Sequence, residues 1–234
     1  MQLWLCPLLA FLLGSIPFGL IIAKAKGINI RDHGSGNIGA TNVLRVIGKK
    51  YGISCLLLDA LKGFIPTVIA ISLIQFEGMK NPMSVAALAD YARDFPMLTA
   101  QVLQVITGLS AVLGHNYSPW VGFKGGKGIA TSAGVLIAMM PAAIVILLVI
   151  WAVVFFITRY VSLASILAAA ALPFITLWGS WFHGKIQNGT WNKPLFAFAL
   201  ILAVLAIWKH RSNIARLKNG TEHRFTRKPK SNHV

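Results

Sequence analysis

The sequence predicts an all-α polytopic membrane protein with about seven transmembrane helices, its N-terminus outside and its C-terminus in the cytoplasm. Three observations carry this: long apolar runs, a charged fraction of only 12% beside a hydrophobic fraction of 56%, and positive charges gathered into alternate loops. A soluble domain carries about a quarter charged residues, so this chain has about half that share.

Apolar runs fall at about 3–23, 52–76, 95–114, 129–157, 160–182 and 194–208. A span needs about 20 residues to cross about 30 Å of hydrocarbon. The first run has no positive charge before it; Lys24 and Lys26 follow it instead. That reverses the order of a secretory signal and fits a first helix that starts outside and ends in the cytoplasm. The fourth run is ambiguous, because Met140-Pro141 sits near its middle. One helix of that length would measure roughly 44 Å, and two would measure about 20 Å each, at about 1.5 Å per residue.

Charge decides between them. Loop 24–50 carries six Lys and Arg, loop 115–128 has Lys124 and Lys127, the turn after 157 has Arg159, and the tail 209–234 has eight. The intervening segments hold only Lys80, Arg93, Lys185 and Lys193. If 129–157 is a helical hairpin turning at Pro141, the first group all faces the cytoplasm. If it is one helix, the basic tail goes outside. The positive-inside rule selects the hairpin. The whole chain, 1–234, reads as one integral membrane domain and is expected to be a monomer. Residues from about 226 to 234 form a polar, basic tail that is expected to fray. Cys6 and Cys55 lie in apolar runs, with no metal or redox spacing.

The net charge is +16, from 22 Lys and Arg against 6 Asp and Glu. It calls for an anionic partner outside the chain. Nucleic acid has no use for six hydrocarbon stretches. The partners left are the lipid bilayer and anionic substrates.

Three segments, all on the cytoplasmic side of this topology, carry the unusual residues. The first is Gly34-Ser35-Gly36-Asn37-Ile38-Gly39-Ala40-Thr41-Asn42-Val43-Leu44-Arg45. Small residues let backbone amides approach an anion, and Arg45 can grip a phosphate with two parallel hydrogen bonds. A plain turn needs glycines, but not Ser, two Asn, Thr and Arg together. The embedded G-x-G-x-x-G is no dinucleotide fingerprint, since no strand–turn–helix unit surrounds it.

The second segment runs from Gly114-His115-Asn116 through Phe123-Lys124-Gly125-Gly126-Lys127-Gly128 to Thr131. A glycine-rich loop feeding a helix N-terminus is an anion site, because free amides and the helix dipole face the ligand. It is not a Walker A loop: Gly122 is wrongly spaced, and Gly128 stands where Ser or Thr would hold magnesium. A loop that only set topology would need one Lys and no glycines.

The third segment is His210-Arg211-Ser212-Asn213-Ile214-Ala215-Arg216-Leu217, followed by Gly220-Thr221-Glu222. His210 and Asn213 are one helical turn apart. Glu222 is the tail's lone acid, suited to pair with Arg or Lys; a basic tail drawn to anionic lipid is the plainer reading. Asp59 and Lys62, at i and i+3 within the second run, suit mutual neutralisation. No zinc spacing occurs, no H-x-x-x-x-D occurs, and acids are too few for a two-metal site. Neither metal nor cofactor is expected.

These three segments, in this order, resemble the bacterial membrane glycerol-3-phosphate acyltransferase family called PlsY. Gly14-Ser15-Ile16-Pro17 and Asp59 with Lys62-Gly63 fit the same pattern. The likeness runs from the first span into the tail. It is weaker at Asn116–Gly122, and 75–97 and the tail beyond Phe225 are longer than usual.

The resemblance implies transfer of a fatty acyl group from acyl-phosphate to the 1-hydroxyl of sn-glycerol 3-phosphate, giving lysophosphatidic acid and phosphate at the bacterial inner membrane. This is the first acylation of phospholipid biosynthesis. By resemblance, Ser35, Arg45, Lys127, His210 and Asn213 are catalytic. Gly36, Asn37, Thr41, Asn42, His115, Lys124, Gly125, Gly126, Gly128, Thr131 and Glu222 bind substrate. Either the donor phosphate or His210 takes the hydroxyl proton. An organic-phosphate transporter is the competing reading, though no paired halves are visible. A basic lipid-binding scaffold leaves the Gly-Lys loop unexplained.

Overall fold

Among the described residues there are ten α-helices: α1 (Leu5–Ser15), α2 (Phe18–Lys24), α3 (Ala40–Val46), α4 (Lys49–Leu73), α5 (Met97–Asn116), α6 (Ile129–Met139), α7 (Pro141–Thr158), α8 (Val161–Phe182), α9 (Lys193–Lys209) and α10 (Arg211–Lys218). The structure is a computed structural model that describes residues 4–225; the basic tail 226–234 lies outside the described residues. Ile74–Gln75 and Arg93–Asp94 form a short parallel pairing in the segment between α4 and α5.

Among the described residues, five segments are long and apolar enough to cross a membrane: Leu5–Lys24, Lys49–Leu73, Met97–Val121, Pro141–Thr158 and Val161–Phe182. A sixth is reached when α9 is counted with α10, which follows it after a 55° bend. The expected break at Met140-Pro141 is present, with Pro141 opening α7. It leaves α6 only 11 residues long, roughly 16 Å at about 1.5 Å per residue. The expected count of seven therefore corresponds to five full spans, the bent α9–α10 pair, and one helix too short to span. Leu148, Phe156, Phe174 and Val204 are each more than half exposed, as a lipid-facing belt requires.

The helices pack through small residues, which bring backbones close where lipid supplies no hydrophobic drive. A Cβ on Gly63 would fall on the Thr131 carbonyl, and one on Gly134 on the Ala60 carbonyl, so α4 and α6 touch backbone to backbone. Gly14 and Gly114 do the same between α1 and α5.

The first span is broken between α1 and α2 by Pro17, and its freed carbonyls are capped from elsewhere. Ser118 Oγ donates to Ser15 O at 2.6 Å, and Lys62 Nζ donates to Ile16 O at 2.6 Å. An uncapped carbonyl in hydrocarbon costs several kcal/mol. Lys62 is in turn 2.7 Å from Asp59 Oδ1, as their spacing predicts.

Candidate active site

The loop before α3 is held by Asn42, a buried side chain whose amide points at the carbonyls of Ile30, His33 and Asn37 over 2.9–3.3 Å. Its Oδ1 accepts from the Ser35 amide at 2.9 Å. Asn37 Oδ1 accepts from the Gly39 amide at 2.8 Å. Asn42 therefore shapes the loop, while Ser35, Asn37, Thr41 and Arg45 stand on the wall of a cavity of about 310 Å³. Burial lowers the Arg45 pKa from the usual guanidinium value, against the opposing charge of Glu222.

The glycine-rich loop closes the same cavity, though its amides are not all free. Gly125 N donates to Asn116 O and Gly126 N to His115 O, both at 3.2 Å. The loop is folded back onto the end of α5, and its glycines are there because a Cβ at Gly126 would overlap the His115 ring. Gly128, at φ 81°, turns the chain into α6 in a left-handed conformation that favours glycine. Lys127, Gly128 and the opening residues Ile129 and Ala130 face the cavity, where first-turn amides have no partner within the helix.

The third segment supplies the opposite wall. His210 Nδ1 lies 2.7 Å from Ala206 O, so Nδ1 carries the proton and Nε2 remains the acceptor. Lys127 Nζ donates to Asn213 Oδ1. Asn213 Nδ2 donates to Glu222 Oε1 at 2.7 Å, Ser162 Oγ donates to the same oxygen at 2.7 Å, and Arg216 Nε lies 2.8 Å from Oε2. Glu222 thus meets Arg216, as its isolation among positives predicts, and orients Lys127 through Asn213. Burial alone would raise the Glu222 pKa; the donors from Ser162, Asn213 and Arg216 outweigh it and hold the carboxyl below its usual value. Burial pushes the Lys127 ammonium down to about 8, despite the attraction of Glu222.

Ser35, Arg45, Lys127, His210 and Asn213, expected to be catalytic, all line this one cavity, as do Asn37, Thr41, Asn42, His115, Gly128 and Glu222. Gly36, Lys124, Gly125, Gly126 and Thr131 do not. Gly125 and Gly126 bind α5, the Lys124 carbonyl accepts from Arg31 Nη2 at 2.7 Å, and Thr131 packs against Gly63. The sequence reading missed Ser162, Ser165, Trp151 and His223 on the wall, since none sits in a motif. Among the described residues no cluster of His, Cys, Asp and Glu could hold a metal ion.

A family model described as glycerol-3-phosphate acyltransferase matches residues 4–220. The chain belongs to the glycerol-3-phosphate acyltransferase family. Among its relatives is the glycerol-3-phosphate acyltransferase of Aquifex aeolicus, 43% identical over 92% of this chain and 95% of that one. That of Fusobacterium nucleatum is 42% identical over 93% and 95%. A crystal structure of PlsY, an integral membrane glycerol 3-phosphate acyltransferase in its glycerol 3-phosphate form, superposes with a TM-score of 0.76 at 39% identity, covering 97% of this chain and 96% of that one. Its lysophosphatidic acid form gives 0.74 at 38% identity over the same shares. The family likeness thus spans all three segments that meet in the cavity.

Proposed function

We propose that this member of the acyltransferase family transfers a fatty acyl group from acyl-phosphate to the 1-hydroxyl of sn-glycerol 3-phosphate, giving lysophosphatidic acid and phosphate. The reading rests on one observation. Arg45, Lys127, His210 and the open end of α6 converge on a single cavity, and that cavity shares Ile129, Ala133, Leu148, Trp151 and Ser165 with an apolar cleft among α6–α9. Two phosphates that must meet bring roughly four negative charges together, and a cation-rich cavity relieves their repulsion. The apolar cleft suits an acyl chain.

In this scheme Ser35, Arg45, His210 and Asn213 hold glycerol 3-phosphate. Lys127, Gly128 and the first amides of α6 hold the donor phosphate. The hydroxyl oxygen attacks the acyl carbon, the bond from that carbon to the phosphate oxygen breaks, and phosphate leaves. Acyl-phosphate is already activated, so positioning and charge neutralisation do most of the work. The proton goes to the donor phosphate or to His210 Nε2; near-normal turnover by His210→Gln would exclude the histidine. The chain works as a single domain in the bacterial inner membrane, with this cavity on the cytoplasmic side.

The test is product formation by the purified protein given palmitoyl-phosphate and glycerol 3-phosphate, with palmitoyl-CoA as control donor. Lysophosphatidic acid and phosphate should form from palmitoyl-phosphate alone. Lys127→Ala should lose on the order of 10²–10³ in turnover, the usual effect of removing one preorganised donor. Product from palmitoyl-CoA would overturn the donor assignment. No product from either donor would favour a transporter.

A further inference from the structure

The charged residues inside α4 have no part in the scheme above. Asp59 and Lys62 are 2% and 5% exposed, and ionisable groups buried in a span mark function unless their pairing accounts for them. Lys62 is accounted for: it caps Ile16 O and pairs with Asp59. His115 is not. Its Nδ1 stands 3.6 Å from the Asp59 oxygen that Lys62 also meets. Its Nε2 edge lies where a Cβ on Gly126 would be, and its carbonyl receives the Gly126 amide at 3.2 Å. Asp59 and His115 both reach the cavity wall beside Lys127 and Gly128. A brace between charges would need only Asp59 and Lys62. The third member lies directly under the turn that presents Lys127.

We infer that Asp59 and His115 are positioning residues for the Gly125–Gly128 turn: Asp59 packs against the imidazole edge without a hydrogen bond to it, the ring supports Gly126, and the turn thereby sets Lys127 and the opening of α6 against the donor phosphate. This rests on the reading of that turn as the donor-phosphate site. Neither residue needs to touch the reacting atoms.

The experiment is steady-state kinetics on two variants of the full chain, with palmitoyl-phosphate and glycerol 3-phosphate varied separately and thermal unfolding followed in the same detergent. His115→Gln removes the ring. Asp59→Asn/Lys62→Gln removes both charges while leaving a donor for Ile16 O. Each should raise the donor KM about tenfold, with kcat and the glycerol 3-phosphate KM within about twofold of the wild type, the pattern of lost binding rather than lost chemistry. Unchanged donor KM in a folded variant overturns the inference. So does an equal loss in every constant with lowered Tm, or failure of both variants to fold, because the cluster is then only a brace. A wild type that is itself silent with palmitoyl-phosphate overturns the donor reading and this inference with it, and is told apart because no substitution is involved.

Discussion

Lys127 is the residue whose chemistry is most exposed to measurement. Burial lowers its pKa to about 8, so the free protein loses this positive charge as pH rises through that value. The charge is present below it and absent above it. Since kcat/KM reports groups of the free enzyme, kcat/KM for the acyl donor should fall above pH about 8. Lys127→Arg should retain activity there, because guanidinium stays charged. A flat profile to pH 10 in the wild type would show that Lys127 does not carry the donor's charge. Glu222 works in the opposite sense: held below its usual pKa by Ser162, Asn213 and Arg216, it remains an anion and keeps Asn213 turned towards Lys127. Its pairing with a nearby cation was legible from composition. Its bond to Ser162, 60 residues away, was not, because contact between distant segments leaves no local pattern.

At the scale of elements, the glycine-rich loop shows where sequence reasoning reached and where it stopped. Its residue types announced an anion site before a helix, and the opening of α6 does face the cavity. Which amides remain available was decided by packing. Those of Gly125 and Gly126 are consumed by the end of α5, and that contact depends on how α5 and α6 are docked. Docking of α6 rests on Gly134 and Gly63, whose missing side chains let α4 and α6 touch. Gly134→Ala would place a Cβ against the Ala60 carbonyl and should cost roughly 1–3 kcal/mol, the usual range for overpacking. We expect a lower Tm together with a raised donor KM, since α6 carries the loop. A Tm equal to the wild type's would show that the helices separate without penalty. The break at Met140-Pro141 was legible from proline chemistry together with the distribution of loop charge. The 55° bend between α9 and α10 has no proline and was not.

For the whole molecule, the net charge of +16 and the long apolar helices bear on both topology and partner. The proposed orientation places loop 24–50, the glycine-rich loop and α10 in the cytoplasm. Lys185 and Lys218 are both exposed, and native Cys6 and Cys55 are buried. In intact cells opened only at the outer membrane, a membrane-impermeant maleimide should label Lys185→Cys. It should reach Lys218→Cys only after the inner membrane is permeabilised. The reverse result would invert the topology and put the cavity on the outer face.

The sequence by itself determined the membrane class, the break in the fourth apolar run, the three polar segments and the family likeness, because hydrophobic length, proline and loop charge act locally along the chain. Only the tertiary structure decided which polar side chains share one cavity, that Lys62 caps a broken span at Ile16, and that His115 lies beneath the turn carrying Lys127. Those are contacts between residues far apart in the chain, made when small residues let helices approach until buried donors and acceptors had to find each other.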